Sequence, residues 1–491
     1  MTGAARPPLH PMLVGGGPRT AAGGAVLTLV DPSTGLPHAA VPDAGPADVA
    51  AAVGAARAAL AGDWGAAAPA ARAAVLRRAA GLVARDGARL AELEARDAGR
   101  PVGRMAVQDI PLIQRLLHRF ADRAEALLPE TRAAAPEGLR LEVRPEPAGV
   151  AAVLLPWNVA LMITAMNVAP ALAAGCALVL KPADEVALPV LGLASLFAEA
   201  GLPAGALNVV TGRGAGAGAA LVNHPDVDVV AFTGSTATGR RVAAAAGRRG
   251  RPCRLELGGK NVAIVLDDAD LDATVPLVAL AAFANSGQAC TAASRILVAE
   301  PVAAAFTERL VAHVEALPVG PALDPATRLG PVVSAAHLAR VRGAVTGAVR
   351  VGARVATGGG PPAGVPARGF YLAPTVLVDV PPGAACLREE VFGPVATVES
   401  VDGVEDALRR AAAGPYGLAG GVFTRDPRAA ALVAGGLDVG TVWVNCWHVY
   451  DADAPFGGRR DSGHGRVNGG EALAPFLSPR TVWTPAGEPP P

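Results

Sequence analysis

Four short apolar runs, 150–155, 177–180, 207–210 and 229–232, recur along the chain with helix-like segments such as 190–200 between them. A strand that returns to its sheet through a helix re-enters in the same direction, so this spacing demands parallel pairing. It restricts the chain to an α/β fold built from βαβ units. The alternation resumes after Asn261, with strand-like runs at 262–266 and 296–298, which predicts a second α/β domain. Ahead of the first run, Ala, Leu and Val recur at helical spacing from 48 to 98 until Gly99-Arg100-Pro101 stops the pattern. A second helical stretch is expected over 107–128, and a loose Pro/Gly-rich arm over 1–25. Residues 137–150 instead alternate apolar and charged positions, as in Leu139-Arg140-Leu141-Glu142-Val143-Arg144, and predict an exposed strand that pairs elsewhere.

Composition narrows the function classes. A hydrophobic content of 51% over 491 residues excludes a disordered chain and gives ample core for several domains. With 43 basic against 43 acidic residues, no polybasic footprint exists for nucleic acid or an anionic membrane. Apolar runs such as 271–283 are too short to span a bilayer, and the start of the chain lacks the pattern of a secretory signal. Five scattered cysteines without a C-x-x-C clip predict no metal site and a reduced, cytoplasmic protein. Only two of the basic residues are lysine, Lys181 and Lys260, a bias that fits GC-rich coding.

Two small-residue turns follow predicted strands and open helices. One is Thr211-Gly212-Arg213-Gly214-Ala215-Gly216-Ala217-Gly218, and the other is Phe232-Thr233-Gly234-Ser235-Thr236-Ala237-Thr238-Gly239. Glycines let backbone approach a ligand, and a helix N-terminus offers free N–H groups to an anion. Either turn alone could be an ordinary βα loop; two in one βαβ series favour dinucleotide binding.

Three side chains carry candidate chemistry. Cys290 sits among small and polar neighbours in Asn285-Ser286-Gly287-Gln288-Ala289-Cys290-Thr291, where a thiolate activated by local dipoles has room for a substrate. Cys176, Cys253, Cys386 and Cys446 read as inert small hydrophobes. Glu256 lies between leucines in Leu255-Glu256-Leu257-Gly258-Gly259-Lys260, a setting that raises a carboxyl pKa toward that of a general base. Asn158, in Pro156-Trp157-Asn158, ends a strand with an amide donor suited to an oxyanion. Taken singly, Glu256 also fits a strand-end ion pair and Asn158 a turn or cap.

Taken in order, 232–239, 255–260 and 287–290 resemble the aldehyde dehydrogenase superfamily. So do Pro156-Trp157-Asn158, Leu180-Lys181-Pro182-Ala183, Glu389-Glu390-Val391-Phe392-Gly393-Pro394 and Pro455-Phe456-Gly457-Gly458. The resemblance extends from about Leu29 to Trp483. It implies that Cys290 attacks an aldehyde, that its backbone N–H and the Asn158 amide hold the oxyanion, and that hydride passes to nicotinamide. Glu256 would then activate water to hydrolyse the thioester, and its presence favours an acid product over transfer to coenzyme A. Lys181 and Asp184 would meet the adenosine ribose, with Gly214, Gly218 and Ser235 along the adenine and pyrophosphate. Glu390 would hold the nicotinamide ribose and Phe392 would flank the ring. Pro156, Trp157, Phe232, Gly234, Thr238 and Leu257 complete the cofactor set. Asp184 stands where the family often has glutamate; its charge should repel a 2′-phosphate and favour NAD over NADP.

The resemblance also implies a Rossmann-like NAD-binding domain (1–125 and 149–258), a catalytic α/β domain (259–462) and a small β oligomerisation element (126–148 and 463–491). A homodimer or homotetramer follows from it. One departure is paired: the family usually has lysine where Asn167 stands and glutamate where Val467 stands, partners thought to relay protons from the catalytic carboxylate. Removing one member of such a pair strands a buried charge, whereas removing both is nearly neutral, so Glu256 is expected to deliver its proton by another route or at no kinetic cost through water. Val159, Met162, Ile163, Met166, Ala284, His448, Tyr450 and Phe456 should surround the aldehyde tail. The segment 447–456 carries Asp451 and Asp453 but no Arg or Lys, which favours a neutral aromatic or aliphatic aldehyde, with an amino-aldehyde next. An acid-tailed semialdehyde, served by arginines elsewhere, and a catalytically silent family member are the alternatives.

Overall fold

The computed structural model describes residues 6–132 and 135–486. Its first sheet has eight strands, with Leu207–Val209, Ala177–Lys181, Val150–Leu154, Val229–Gly234 and Cys253–Leu257 side by side and parallel. The chain moves outward from Val150–Leu154 in one direction, then returns to add Val229–Gly234 on its other side. Strand order therefore reverses between these two strands, and a crevice opens beyond their carboxyl ends, the place where α/β sheets bind ligands. Pro156-Trp157-Asn158 and Gly234-Ser235 lie at those ends.

The helix Ala160–Ala174 that follows Asn158 is buried at every position. It is apolar all round, as a helix sealed inside a domain must be. A second sheet of seven strands begins at Val262–Val265 and runs parallel except for the edge strand Arg354–Thr357. One continuous apolar interior extends across residues of both sheets. The predicted mixed α/β architecture is therefore present.

Three local expectations differ from the structure. Residues 1–5 of the expected loose arm lie outside the described residues, but Met12–Val14 and Gly17–Arg19 form a hairpin. Gly15 and Gly16 both take positive φ (63° and 82°), as a tight two-residue turn requires. The hairpin joins the sheet through Leu13 and Val209, and the Gly15 N–H donates to Asn208 Oδ1 at 2.9 Å. The helical stretch over 48–98 is two helices, Pro46–Ala61 and Pro69–Ala98, because Gly62 and Pro69 interrupt it. Over 107–128 the helix is Ile110–Glu125, entered through a wide turn at Met105–Asp109.

The alternating segment forms Leu139–Pro147, which pairs antiparallel along its whole length with Leu477–Pro485. Residues 133–134 and 487–491 of the expected oligomerisation element lie outside the described residues. No helix among the described residues is long and apolar enough to cross a membrane, and no cluster of His, Cys, Asp or Glu there could hold a metal.

Candidate active site

Cys290 is held by the loop on either side of it. Asn285, Ser286 and Gly287 take left-handed conformations in succession (φ 54°, 55° and 67°). Each non-glycine residue in that region costs roughly 1–2 kcal/mol, so surrounding bonds must impose it. Ser286 Oγ donates to Gly330 O at 2.6 Å, and Asn285 Nδ2 donates to Asn158 O at 2.9 Å. Gln288 is fully buried; its amide donates to Asn285 O and Pro331 O and accepts from the Val333 N–H. Gly287 has no alternative, since a Cβ there would lie 2.0 Å from Gly393 O. On the far side, Asn261 Nδ2 donates to Cys290 O at 2.8 Å and to Ala292 O at 3.0 Å, and Trp447 Nε1 donates to Thr291 O.

Asn158 donates one amide N–H to Gln288 O at 3.0 Å. That bond leaves its second N–H for another acceptor. Glu256, on the strand Cys253–Leu257, is buried with Oε1 unpartnered. Burial, reinforced by the charge of Glu390 and opposed by Arg254 and a hydrogen bond with Cys290, pushes its carboxyl up to about 8. Burial and the Glu256 and Glu390 charges push the Cys290 thiol well above the usual thiol range. Low-pKa activation by local dipoles, expected from the flanking sequence, is thus outweighed by burial, with the two acidic neighbours adding to it. The sulfur is favoured as a thiol, with the Glu256 carboxyl beside it.

Cys290, Glu256, Asn158, Thr233 and Ile163 line two spaces at once. On one side is a cavity of about 70 Å³ walled by Val159, Met162, Met166, Ala284, His448, Tyr450 and Phe456. Every expected tail residue is in this wall. Tyr450 OH lies 2.7 Å from Thr291 Oγ1, and His448 Nδ1 lies 3.2 Å from that same oxygen. Burial pushes the His448 imidazole down to about 3, so it is neutral.

On the other side is a cleft of about 570 Å³, in the crevice where strand order reverses. Of the expected cofactor residues, Pro156, Trp157, Gly234, Ser235, Leu257, Glu390 and Phe392 line it. Trp157 meets both Phe392 and His337 edge-on, with ring centroids 5.3 and 5.2 Å apart. Glu390 Oε1 accepts from the Gly259 N–H at 3.0 Å, and a Cβ on Gly258 would lie 2.1 Å from Glu390 Oε2. Ser235 caps the helix Thr236–Gly247 by accepting from the Thr238 N–H.

Lys181, Asp184, Gly214 and Gly218 form a separate cluster and do not line the cleft. Lys181 Nζ lies 2.6 Å from Asp184 Oδ1, which also accepts from the Gly214 N–H at 3.0 Å. A Cβ on Gly218 would lie 3.8 Å from the Lys181 stem. Phe232 and Thr238 do not line the cleft either; Phe232 packs beneath Gly234.

The sequence matches the Aldehyde dehydrogenase family over residues 20–482. The chain belongs to that family. It is 39% identical to aminoaldehyde dehydrogenase 2, peroxisomal, of Malus domestica, over 93% of this chain and 92% of the relative. It is also 39% identical to betaine aldehyde dehydrogenase 1 of Oryza sativa subsp. japonica, over 97% and 95%. The NAD+ complex of an aldehyde dehydrogenase from Bacillus cereus superposes with TM-score 0.94 at 36% identity, over 97% of this chain and 96% of that one. Betaine aldehyde dehydrogenase from Staphylococcus aureus, solved with NAD+, gives TM-score 0.95 at 32% identity, over 98% and 95%.

Several residues of this aldehyde dehydrogenase site were not singled out from sequence. Asn261, Asn285 and Gln288 act through backbone carbonyls, which no pattern of residue types displays. Arg100, Arg104, Gln108 and Asp109 line the cavity from the segment after the helix Pro69–Ala98. His337 and Arg340 reach the cleft from the helix Ala335–Arg350, and His337 Nε2 is bonded to Phe392 O at 2.7 Å. The arginines that the segment 447–456 lacks come from residues 100 and 104.

Proposed function

We propose that the chain oxidises an aldehyde to a carboxylic acid with NAD, by covalent catalysis at Cys290 and hydrolysis driven by Glu256. The observation that carries this reading is the position of Cys290, Glu256 and Asn158 at the junction of an apolar cavity and the cleft where strand order reverses.

The donors present fit NAD. Glu390, half-buried in the cleft wall, suits ribose hydroxyls; a Cβ on Gly258 would strike its carboxylate, and one on Gly234 the Phe232 ring. The Trp157–Phe392–His337 group offers flat apolar walls to a ring. The Lys181–Asp184 pair suits the second ribose, and the Asp184 charge disfavours a 2′-phosphate.

Glu256 takes the Cys290 proton as sulfur bonds to the aldehyde carbon. The oxyanion is held by the Cys290 backbone N–H and the free Asn158 N–H, donors already oriented by Gln288 and Asn261. When bound, NAD supplies the acceptor for the hydride that leaves as the adduct collapses to a thioester on Cys290. Glu256 releases the Cys290 proton to solvent and then takes one from water as its oxygen attacks the thioester carbon; the adduct collapses, the acid leaves, and the expelled Cys290 thiolate takes the proton back from Glu256.

Within this reading, 1–125 and 149–258 serve NAD, 259–462 brings the nucleophile loop, and 126–148 with 463–491 serve association. Trp483 and Leu139 are half-exposed on the three-stranded sheet. A second copy covering that sheet would bury them and protect its edges, giving a homodimer or a tetramer of dimers. A cytoplasmic setting suits a nucleophile that must stay reduced.

Absorbance of NADH across a panel of aromatic, aliphatic, amino and acid-tailed aldehydes tests the reading, alongside iodoacetamide labelling of Cys290 with and without NAD. Turnover that disappears in Cys290→Ser supports it. Labelling without turnover on any aldehyde would point to a silent family member.

A further inference from the structure

Arg100 and Arg104 line the same cavity as Cys290 but stand in different electrostatic positions. Arg100 is matched: it donates to Asp109 and lies 3.5 Å from Glu94, and all three side chains are buried. Arg104 makes no hydrogen bond or ion pair among the described residues; the acid whose charge reaches it is Asp109, already bonded to Arg100. Its guanidinium is partly desolvated, and burial lowers its pKa from the ordinary arginine value, yet an arginine stays charged under any ordinary condition. Its field reaches His448 and Tyr450, which line the same cavity.

The acidic residues nearby are committed elsewhere. Asp109 is bonded to Arg100, and Glu256 stands beside Cys290 as the base. Asp453 is exposed and held by Arg119 and Arg123, each at 2.6 Å, and Asp451 is exposed. Neither aspartate lines the cavity. The remaining titratable groups there, His448 and Tyr450, are neutral, because burial lowers the first and raises the second. Among the described residues lining the cavity, Arg104 is therefore the cation that lacks a direct ion-pair partner.

We propose that Arg104 anchors an anionic tail, so that the substrates of this chain are carboxylate-tailed aldehydes. This rests on the aldehyde-oxidising reading above. Met162, Ile163, Met166 and Phe456 supply apolar lining in the cavity that also holds Cys290 and the arginine. A carbon chain would lie along it with the aldehyde at the sulfur and the carboxylate on the guanidinium, a pairing arginine makes in bidentate fashion. A cationic tail, of the kind that the names of the aminoaldehyde and betaine aldehyde relatives denote, would meet Arg104 without an acidic partner. The substrate class of this chain thus parts from theirs at one side chain.

The test compares kcat/KM with NAD for 5-oxopentanoate, pentanal and 5-aminopentanal, which share a chain length and differ in tail charge. The acid-tailed aldehyde should exceed pentanal by about 10- to 100-fold, the worth of a hydrogen-bonded charge pair, and the amino-aldehyde should be poorest. In Arg104→Gln the ratio of acid-tailed to neutral should fall to near one, mainly through KM, and Arg104→Lys should keep part of it. Calorimetry with glutarate should show binding that Arg104→Gln loses, and thermal melts check that the variant is folded. A preference for the neutral or amino aldehyde, or a ratio unchanged in a folded Arg104→Gln, overturns the anchor while leaving the dehydrogenase reading intact. Glutarate binding that depends on Arg104, with no NADH formed from any aldehyde, keeps the anchor and overturns the dehydrogenase reading.

Discussion

Arg254 donates a hydrogen bond to the side-chain carbonyl of Asn167 in the protein interior. Asn167 anchors its own amide on Ile163 O at 2.7 Å. Arg254 is two residues before Glu256 on the strand Cys253–Leu257, so both side chains leave the same face. It is buried, its Nε and Nη1 are unpartnered, and its guanidinium lies 5.6 Å from the Phe476 ring centre. The interior that lacks a lysine at position 167 therefore contains a cation after all, carried by the strand of the base. Val467 is buried, and its backbone pairs with Phe456 at 2.8 Å in both directions.

Arg254 works against the burial that raises the Glu256 carboxyl to about 8. A general base must be ionised, so deacylation should rise with pH through that value. Removing the cation in Arg254→Met should push the rising limb to higher pH by on the order of one unit and slow deacylation at pH 7 about tenfold. Arg254→Lys should restore much of the profile. Stopped-flow measurement of the burst and the steady rate from pH 6 to 10 reads both, and a profile that does not move contradicts this role. Asn167→Lys alone would bury two cations together and should destabilise the fold by about 3–5 kcal/mol in urea unfolding. Adding Val467→Glu should recover part of that loss and change the deacylation rate.

Cys290 and Glu256 should show opposite responses to one substitution. The Glu256 carboxylate holds the thiol pKa up, second only to burial. Above pH 8, where Glu256 is mostly ionised, Glu256→Gln should make Cys290 react faster with iodoacetamide, even as thioester hydrolysis is lost. Alkylation rates from pH 7 to 10, without aldehyde, check the sign. Slower alkylation in the variant would mean that Glu256 acts chiefly as the proton acceptor for Cys290 in this reaction too.

Asp184 sits on Lys181 and on the Gly214 N–H. Its carboxylate would face a 2′-phosphate, so Asp184→Ser should raise kcat/KM with NADP relative to NAD by about tenfold, an effect of roughly 1.4 kcal/mol. Paired kinetics with the two dinucleotides measure it. An unchanged ratio would place cofactor selection elsewhere.

Much of this site was legible because its chemistry sits at strand ends next to small residues. Pro156-Trp157-Asn158, Gly234-Ser235 and Glu256-Leu257-Gly258 could each be read as a strand, a reactive or polar group, and a gap for a ligand. The parallel sheet was legible from the apolar runs at 150–155, 177–180, 207–210 and 229–232. Residues whose effect depends on tertiary neighbours were not. Arg104 and His337 belong to helical turns where nothing local separates a cavity residue from a surface one. Arg254 reads in sequence as an ordinary strand arginine, and only burial beside Asn167 and Glu256 gives it meaning. The hairpin Met12–Arg19 was hidden for a related reason: its pairing with Leu207–Val209 is set by partners almost two hundred residues away.

The most direct test of the account is intact-protein mass spectrometry of Glu256→Gln after mixing with NAD and an aldehyde that the wild type oxidises. The account predicts one equivalent of NADH and an acyl group on Cys290 that persists, located by peptide mapping and absent in Cys290→Ser. NADH formed with no acyl adduct on Cys290, or formed undiminished by Cys290→Ser, would contradict it.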